Sequence, residues 1–122
     1  MYELMIETKF AAAHQLRNYH GKCERLHGHN WKVNVYVVAD QLDDIGLAID
    51  FKVLKDTTNE QLAALEHVFL NEVPPFTEIN PSSENISKWL YESLSETLNT
   101  EHLQVSMVTV WESDTAHASY FE

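Results

Sequence analysis

The stretch from His14 to His29 concentrates the side chains most able to do chemistry. It holds four of the seven histidines and the only cysteine, which together suggest a metal ion beside a thiol. Because His27 and His29 are two residues apart, both would project to the same face of a strand and could bind one ion. If His14 lies on the neighbouring antiparallel strand, three imidazoles converge. Three neutral nitrogens suit Zn²⁺ and leave a fourth position for water or substrate, as in catalytic zinc sites.

Cys23 lies four residues before His27. A free cysteine is most often a buried and inert small residue. Here it lies between Lys22 and Arg25 with a metal site nearby, an electropositive setting that favours the thiolate at neutral pH. A thiolate can act as a general base or as a nucleophile. Position alone leaves the inert and the reactive interpretations open.

Two alternating segments are expected to hold these groups. Residues 3–14 and 27–37 alternate between apolar and polar side chains, as half-buried strands do, and the three histidines share the apolar parity. Residues 15–26 between them contain turn formers and are predicted to be a loop. The histidines would therefore lie at the ends of two paired strands.

Two helices are predicted in the middle of the chain. The first begins after Asp50 as N-cap and keeps a rough 3.6-residue apolar period as far as Phe69. The prolines in residues 73–76 end that regular structure. The second helix begins after Ser82 as N-cap and runs to Leu98, with an apolar stripe typical of core packing.

The last third of the chain alternates again. The residues expected on one strand face are Leu103, Val105, Met107, Thr109 and Trp111. A turn at residues 112–114 then leads into a final strand. The order ββααββ predicts an α+β fold in which two helices cover one face of a four-stranded antiparallel sheet, with residues 1–122 as a single domain. The uncovered face and open edges favour oligomerisation.

Composition argues against several classes of function. No apolar run approaches the roughly 20 residues of a membrane helix, so we expect no membrane partner. The net charge of −11 argues against a nucleic-acid surface, which requires a basic face. We expect a cytoplasmic protein, because the first residues lack a secretory signal and a single cysteine cannot form an intrachain disulfide.

The few cations are concentrated near the histidines. Residues 1–32 contain five of the eight Lys and Arg residues but only three of the nineteen acids. A solvated face is one interpretation. The other is a local pocket for an anionic small molecule such as a phosphate ester.

Seven motifs together resemble the 6-pyruvoyltetrahydropterin synthase family. In chain order they are FAAAH (10–14), CERLHGH (23–29), IDF (49–51), LEH (65–67), LN (70–71), NPSSE (80–84) and VWE (110–112). They span nearly the whole chain in the family's order. The three residues between Cys23 and His27 are most similar to the bacterial branch, the 6-carboxy-5,6,7,8-tetrahydropterin synthases of queuosine biosynthesis.

The resemblance implies an assembly and a reaction. The family has a tunnelling fold, in which three subunits join their sheets into a barrel and two trimers form a homohexamer with active sites between subunits. The implied reaction converts 7,8-dihydroneopterin triphosphate and water to 6-carboxy-5,6,7,8-tetrahydropterin, acetaldehyde and triphosphate.

The resemblance also implies roles for individual residues. His14, His27 and His29 would bind Zn²⁺. Cys23 would be the catalytic base, with His67 of a neighbouring subunit as its relay partner. Glu112 would anchor the pterin ring, although its residue type alone would make it a surface residue. Charge alone suggests Arg17, Lys22 and Arg25 as triphosphate contacts.

Two departures from the family pattern open alternatives. Glu66 stands where the family usually has an aspartate before the relay histidine, and its extra methylene moves the carboxylate by ~1.5 Å, enough to cost activity. A catalytically weak zinc-binding homologue is therefore one alternative. Glu24 creates a Glu-x-x-His-Gly-His spacing similar to members that form 6-hydroxymethyl-7,8-dihydropterin for folate synthesis. A dual-activity or folate-type enzyme is the other, unless Glu24 points to solvent.

Overall fold

A computed structural model of the chain describes residues 1–22 and 24–122. Its elements are β1 (Tyr2–His14), β2 (His27–Ala39), α1 (Phe51–Leu62), a 3₁₀ turn (Leu70–Glu72), α2 (Ser83–Leu98), β3 (Leu103–Ser113) and β4 (Ala116–Phe121). The four strands form one antiparallel sheet in the order β1-β2-β3-β4. The predicted α+β architecture and the ββααββ order are confirmed.

The pairing of β1 with β2 carries the histidines to one end of the sheet. It runs without interruption from the Tyr2–Ala39 pair to the His14–His27 pair. Trp31, Val33, Val35 and Val37 share the parity of His27 and His29 and are fully buried. The core therefore begins directly beneath the histidines.

Both helices begin at the predicted N-caps. The Asp50 carboxylate accepts a hydrogen bond from the backbone N–H of Lys52 at 2.8 Å, and the Ser82 hydroxyl accepts one from the N–H of Asn85 at 3.2 Å. Each cap satisfies an N–H group that has no partner within its helix.

The first helix is shorter than predicted, because α1 ends at Leu62 and does not reach Phe69. The chain then turns back to the free edge of β1. His67 has a left-handed backbone (φ 55°) and donates its N–H to the carbonyl of Ala11 at 2.6 Å, and Val68 accepts from the N–H of Ala13 at 3.0 Å. Backbone pairing with a strand edge replaces the helical hydrogen bonds that the apolar period suggested.

A β-bulge makes the predicted faces of β3 wrong beyond Val105, whereas Leu103 and Val105 face the core as predicted. Tyr36 pairs with Met107 but Val37 pairs with Val105, so Ser106 has no partner in the ladder. Because side chains alternate along a strand, one extra residue exchanges the two faces beyond it. Val108 and Val110 therefore face the core in place of Met107 and Trp111. Glu112 shares the parity of those valines and lies on the histidine face of the sheet.

Side chains on the face of the sheet opposite the histidines hold β3 in place next to Glu112. The indole N–H of Trp111 donates to Asn34 Oδ1 at 2.6 Å, and Asn34 Nδ2 donates to Glu7 Oε1 at 3.0 Å. The Lys32 ammonium lies 4.2 Å from the centre of the Trp111 ring.

Among the helices of the described residues, none is long and apolar enough to cross a membrane.

Candidate metal centre

His14, His27 and His29 converge as the strand pairing predicts. Nε2 of His14 lies 3.0 Å from Nε2 of His27, and the three rings meet edge to face with centres 4.6–5.1 Å apart. The Trp31 indole lies below them, 4.8 Å from the His14 ring and 5.2 Å from that of His29. His14 is only 1% exposed. The three histidines therefore lie at the edge of the hydrophobic core, with His14 and His29 against the Trp31 ring.

Backbone carbonyls set the tautomers of two of these histidines. Nδ1 of His14 lies 2.8 Å from the Pro81 carbonyl oxygen, and Nδ1 of His27 lies 2.8 Å from that of Arg25. A carbonyl oxygen only accepts, so each Nδ1 carries the proton and each Nε2 keeps a lone pair. Two lone pairs 3.0 Å apart repel unless a cation lies between them. This second-sphere arrangement is typical of metal-binding histidines.

His29 adds a buried nitrogen to the cluster. Its Nε2 lies 3.0 Å from Oε1 of Glu112 but makes no hydrogen bond of good geometry within the described residues. Burial lowers the pKa of His29, against the opposing effect of the Glu112 carboxylate. The neutral ring is therefore favoured, and it is the form that binds a metal. A buried nitrogen without a partner fits an ion at this position.

The Glu112 carboxylate completes the cluster. Its Oε1 lies 3.3 Å from Nε2 of His14 and 3.8 Å from Nε2 of His27. The four ligand atoms, three nitrogens and one oxygen, all lie within 4.8 Å of one another and could hold a metal ion. Such a set suits Zn²⁺. The strand pattern missed this proximity because it did not reveal the bulge before Glu112.

Two asparagines clamp the loop that follows His14. The side-chain amide of Asn71 accepts from the N–H of Gln15 at 3.0 Å and donates to its carbonyl at 2.8 Å. Asn80 makes the same pair of bonds to Arg17, at 2.8 and 3.0 Å. Residue 80 precedes Pro81, whose carbonyl orients His14. The LN and NPSSE motifs thus position the loop and the first ligand.

Replacing Asn80 with alanine is expected to destabilise the protein by about 1–3 kcal/mol, because both backbone groups of Arg17 lose their partner. Urea unfolding followed by circular dichroism measures this. Asn59→Ala is the matched control, since that side chain accepts a hydrogen bond from the Thr8 hydroxyl at the surface, and its loss should change stability by about 0.5 kcal/mol or less. Equal effects of the two substitutions would contradict the clamp.

The basic residues of the loop are used differently from one another. The Arg17 guanidinium donates to the carbonyls of Asn71, Phe76 and Ile79 at 2.7–3.2 Å and so ties the loop to the segment before α2. Lys22 and Arg25 are exposed. The predicted contacts of all three with a triphosphate stay predictions.

Glu66 and His67 contact each other at the edge of β1, outside the metal cluster. Oε1 of Glu66 lies 3.1 Å from Nε2 of His67 and accepts from the N–H of Ala11 at 3.3 Å. The His67 side chain is 79% exposed. It lines an open cavity of about 500 Å³ with His29 and neighbouring residues of β1 and β2. The relay role predicted for the pair stays a prediction.

The cysteine predicted as the base and the glutamate of the alternative are neighbours in the sequence. Cys23 lies outside the described residues. The Glu24 carboxylate does not extend into solvent: its Oε1 lies 3.4 Å from the N–H of Leu16 and 3.8 Å from Nδ1 of His27. Glu24 therefore faces the side of the His27 ring away from the converging Nε2 atoms.

Comparison with known proteins gives consistent matches over the whole chain. The sequence profile of the family described as 6-pyruvoyl tetrahydropterin synthase matches residues 3–122. A Synechocystis protein named 6-carboxy-5,6,7,8-tetrahydropterin synthase is 36% identical, with 99% of this chain and 94% of that protein covered. A Bacillus subtilis protein of the same name is 31% identical, with 98% and 84% covered.

Solved structures support the fold. The 6-pyruvoyl tetrahydropterin synthase of Caenorhabditis elegans has a TM-score of 0.81 at 21% identity, with 99% of this chain and 95% of that one covered. The Plasmodium vivax enzyme has a TM-score of 0.82 at 22% identity, with 99% and 97% covered. At these identities the likeness concerns the fold alone.

Proposed function

The chain belongs to the 6-pyruvoyl tetrahydropterin synthase family, and from that premise we propose that it is a zinc-dependent 6-carboxy-5,6,7,8-tetrahydropterin synthase. This lyase would convert 7,8-dihydroneopterin triphosphate and water to 6-carboxy-5,6,7,8-tetrahydropterin, acetaldehyde and triphosphate. It would act in the cytoplasm, in queuosine biosynthesis. The two full-length relatives above carry the name of this activity.

The observation that carries the proposal is the convergence of three imidazole Nε2 atoms, two of them with their protons held at Nδ1 by carbonyls. Such a site is preorganised for a metal ion, because the carbonyls hold these two rings with their Nε2 atoms facing each other. When bound, Zn²⁺ would supply the Lewis acidity that makes a C–H bond next to the substrate's side-chain oxygens acidic.

The protein's own residues would move the proton and hold the substrate. Cys23, as thiolate, would take the proton of the acidified C–H bond, after which the triphosphate leaves. His67 would relay that proton, with Glu66 accepting its N–H and keeping the ring oriented. Glu112 would accept two hydrogen bonds from the aminopyrimidine edge of the pterin. Arg25 would bind the triphosphate, with Lys22 and Arg17.

The assembly is proposed to be a homohexamer of two barrel-shaped trimers. Supporting this, β1 and β4 end the sheet of the single chain. Residues 67–69 pair with the outer edge of β1 at Ala11 and Ala13, and strand edges without such pairing favour joining to another sheet. The exposure of His67 supports its donation to a neighbouring subunit's site.

Product analysis tests the proposed function. Zinc-loaded protein incubated with 7,8-dihydroneopterin triphosphate is expected to release acetaldehyde and triphosphate in equal amounts, together with a 6-carboxypterin after oxidation. Release of triphosphate without acetaldehyde would contradict it.

The alternative is a dual-activity or folate-type enzyme, favoured by the position of Glu24 beside His27. The same incubation would then yield 6-hydroxymethyl-7,8-dihydropterin, and Glu24→Ala would remove that product. Its absence from the parent protein would dismiss this alternative.

A substitution at the Glu66–His67 contact tests whether the protein is an efficient enzyme or a catalytically weak homologue. Replacing Glu66 with glutamine is expected to lower kcat by roughly tenfold or more with little change in KM, because the amide cannot stabilise a charged imidazole. The glutamine oxygen can still accept from Ala11, so the edge of β1 is preserved. Steady-state kinetics measure the change, and unchanged kcat in an active parent enzyme would exclude Glu66 from the relay.

A further inference from the structure

The Glu112 carboxylate lies where the open position of a catalytic metal site would be. In the proposed reaction the same carboxylate must bind the pterin. One oxygen cannot be 3.0–3.8 Å from three imidazole nitrogens and also at the far edge of a bound pterin ring. We propose that Glu112 changes partner: without substrate it is the fourth ligand of the metal, and it leaves the metal to bind the aminopyrimidine edge when the pterin arrives.

The distances fit a four-coordinate ion. Ligands about 2.0–2.2 Å from a tetrahedral Zn²⁺ lie about 3.3–3.6 Å from one another. Glu112 Oε1 is 3.3, 3.0 and 3.8 Å from Nε2 of His14, His29 and His27. These distances are close to that range, and all four ligand atoms lie within 4.8 Å of one another, so side-chain adjustments would bring them around one ion.

Charge leads to the same conclusion. In the described part of the chain, the ion-pair contacts of Glu112 are the three imidazoles. Its carboxylate is the one acidic member of the four-residue cluster, so it would add a negatively charged oxygen to three nitrogen donors around a divalent ion.

The strand fixes the backbone at Glu112, but the side chain is free to rotate. Trp111 is anchored on the opposite face by Asn34 and lies beneath the Lys32 ammonium, so the backbone beside Glu112 is fixed. The Glu112 side chain is still 42% exposed. Rotation of that side chain moves the carboxylate from the ion to solvent or to a bound ring.

This exchange would restrict access to the metal to molecules that can bind the Glu112 carboxylate. Four protein ligands retain the metal and leave no open position, as in structural zinc sites. A molecule that offers paired N–H donors to the carboxylate opens the position, and an oxygen-containing molecule without them does not. This second half rests on the proposed function, whereas the fourth ligand requires only the metal centre.

Cobalt titration without substrate tests the fourth ligand. Metal-free protein is titrated with Co²⁺ against a chromophoric chelator, and the visible spectrum of the bound ion is recorded. Glu112→Gln is expected to weaken binding by about tenfold or more and to change the spectrum, because a charged ligand is lost. Asp114→Asn, on the same hairpin and with the same change in charge, should match the parent protein. Equal affinity and spectrum for Glu112→Gln and the parent would overturn the proposal while leaving the proposed function intact.

A second variant, Glu112→Asp, keeps the proposal testable if Glu112→Gln does not fold. Glu112→Asp keeps the charge but shortens the side chain, so it should fold and bind Co²⁺ more weakly than the parent. Parent-like affinity of a folded Glu112→Asp would count against ligation. If the parent itself bound no metal, the proposed function would fall as well.

The exchange is tested with 7,8-dihydroneopterin, which has the pterin ring but no triphosphate to release. Adding it to the cobalt-loaded parent is expected to change the visible spectrum, whereas the Glu112→Gln spectrum should change little because no carboxylate leaves. An unchanged parent spectrum at saturating pterin, in a protein that turns over its substrate with zinc, would overturn the exchange alone.

Discussion

Replacing His14 with alanine is expected to lower metal affinity by roughly a hundredfold or more and to abolish turnover. His14 is the most buried of the three histidines, and its Nε2 faces both His27 and Glu112. Its tautomer is held by the Pro81 carbonyl, so the ring is already oriented for an ion. Removing it leaves two nitrogens and one carboxylate, one donor too few for a four-coordinate protein site.

Metal content after dialysis and the rate of acetaldehyde release measure this effect. His102→Ala is the matched control: its imidazole bonds Asp40 at the opposite end of β2 and is partly exposed, so metal content and turnover should match the parent protein. If the His14 variant kept its metal through dialysis, the assignment of the metal centre would be wrong.

Replacing Cys23 with alanine is expected to lower kcat/KM by roughly 10²–10⁴, the contribution of a positioned general base. The expectation rests on sequence and family: a lone thiol between Lys22 and Arg25, four residues before a metal ligand. Because the thiol is not among the proposed ligands, the metal content of the variant should equal that of the parent protein. Loss of turnover with full metal content is therefore the diagnostic combination.

Cys23→Ser sharpens this test. A hydroxyl of similar size ionises far less readily than a thiol, so the serine variant should be nearly as inactive as the alanine variant if a thiolate is the base. Full turnover in Cys23→Ala would assign the base elsewhere. Glu24 would then be the next candidate, and a Glu24→Ala variant would decide.

Local sequence patterns predicted the elements that carry the site. Alternation in residues 27–37 placed His27 and His29 on the face of β2 that carries the buried Trp31, and the structure has the His29 ring 5.2 Å from that indole. Asp50 and Ser82 marked the helix starts, since capping depends on residues within one turn. Periodicity failed beyond Leu62, because α1 ends there and residues 67–69 pair with the edge of β1.

The amino-acid sequence by itself determined the order of elements, the shared face of three histidines and the family, since these depend on near neighbours or on recurring motifs. Only the tertiary structure decided what faces those histidines. The bulge at Ser106 turned Glu112 toward them, and the carbonyl of Pro81, distant in sequence, fixed the tautomer of His14. Both depend on how separate segments pair, and a one-residue change of register reverses a strand's faces without leaving a signal in its alternation.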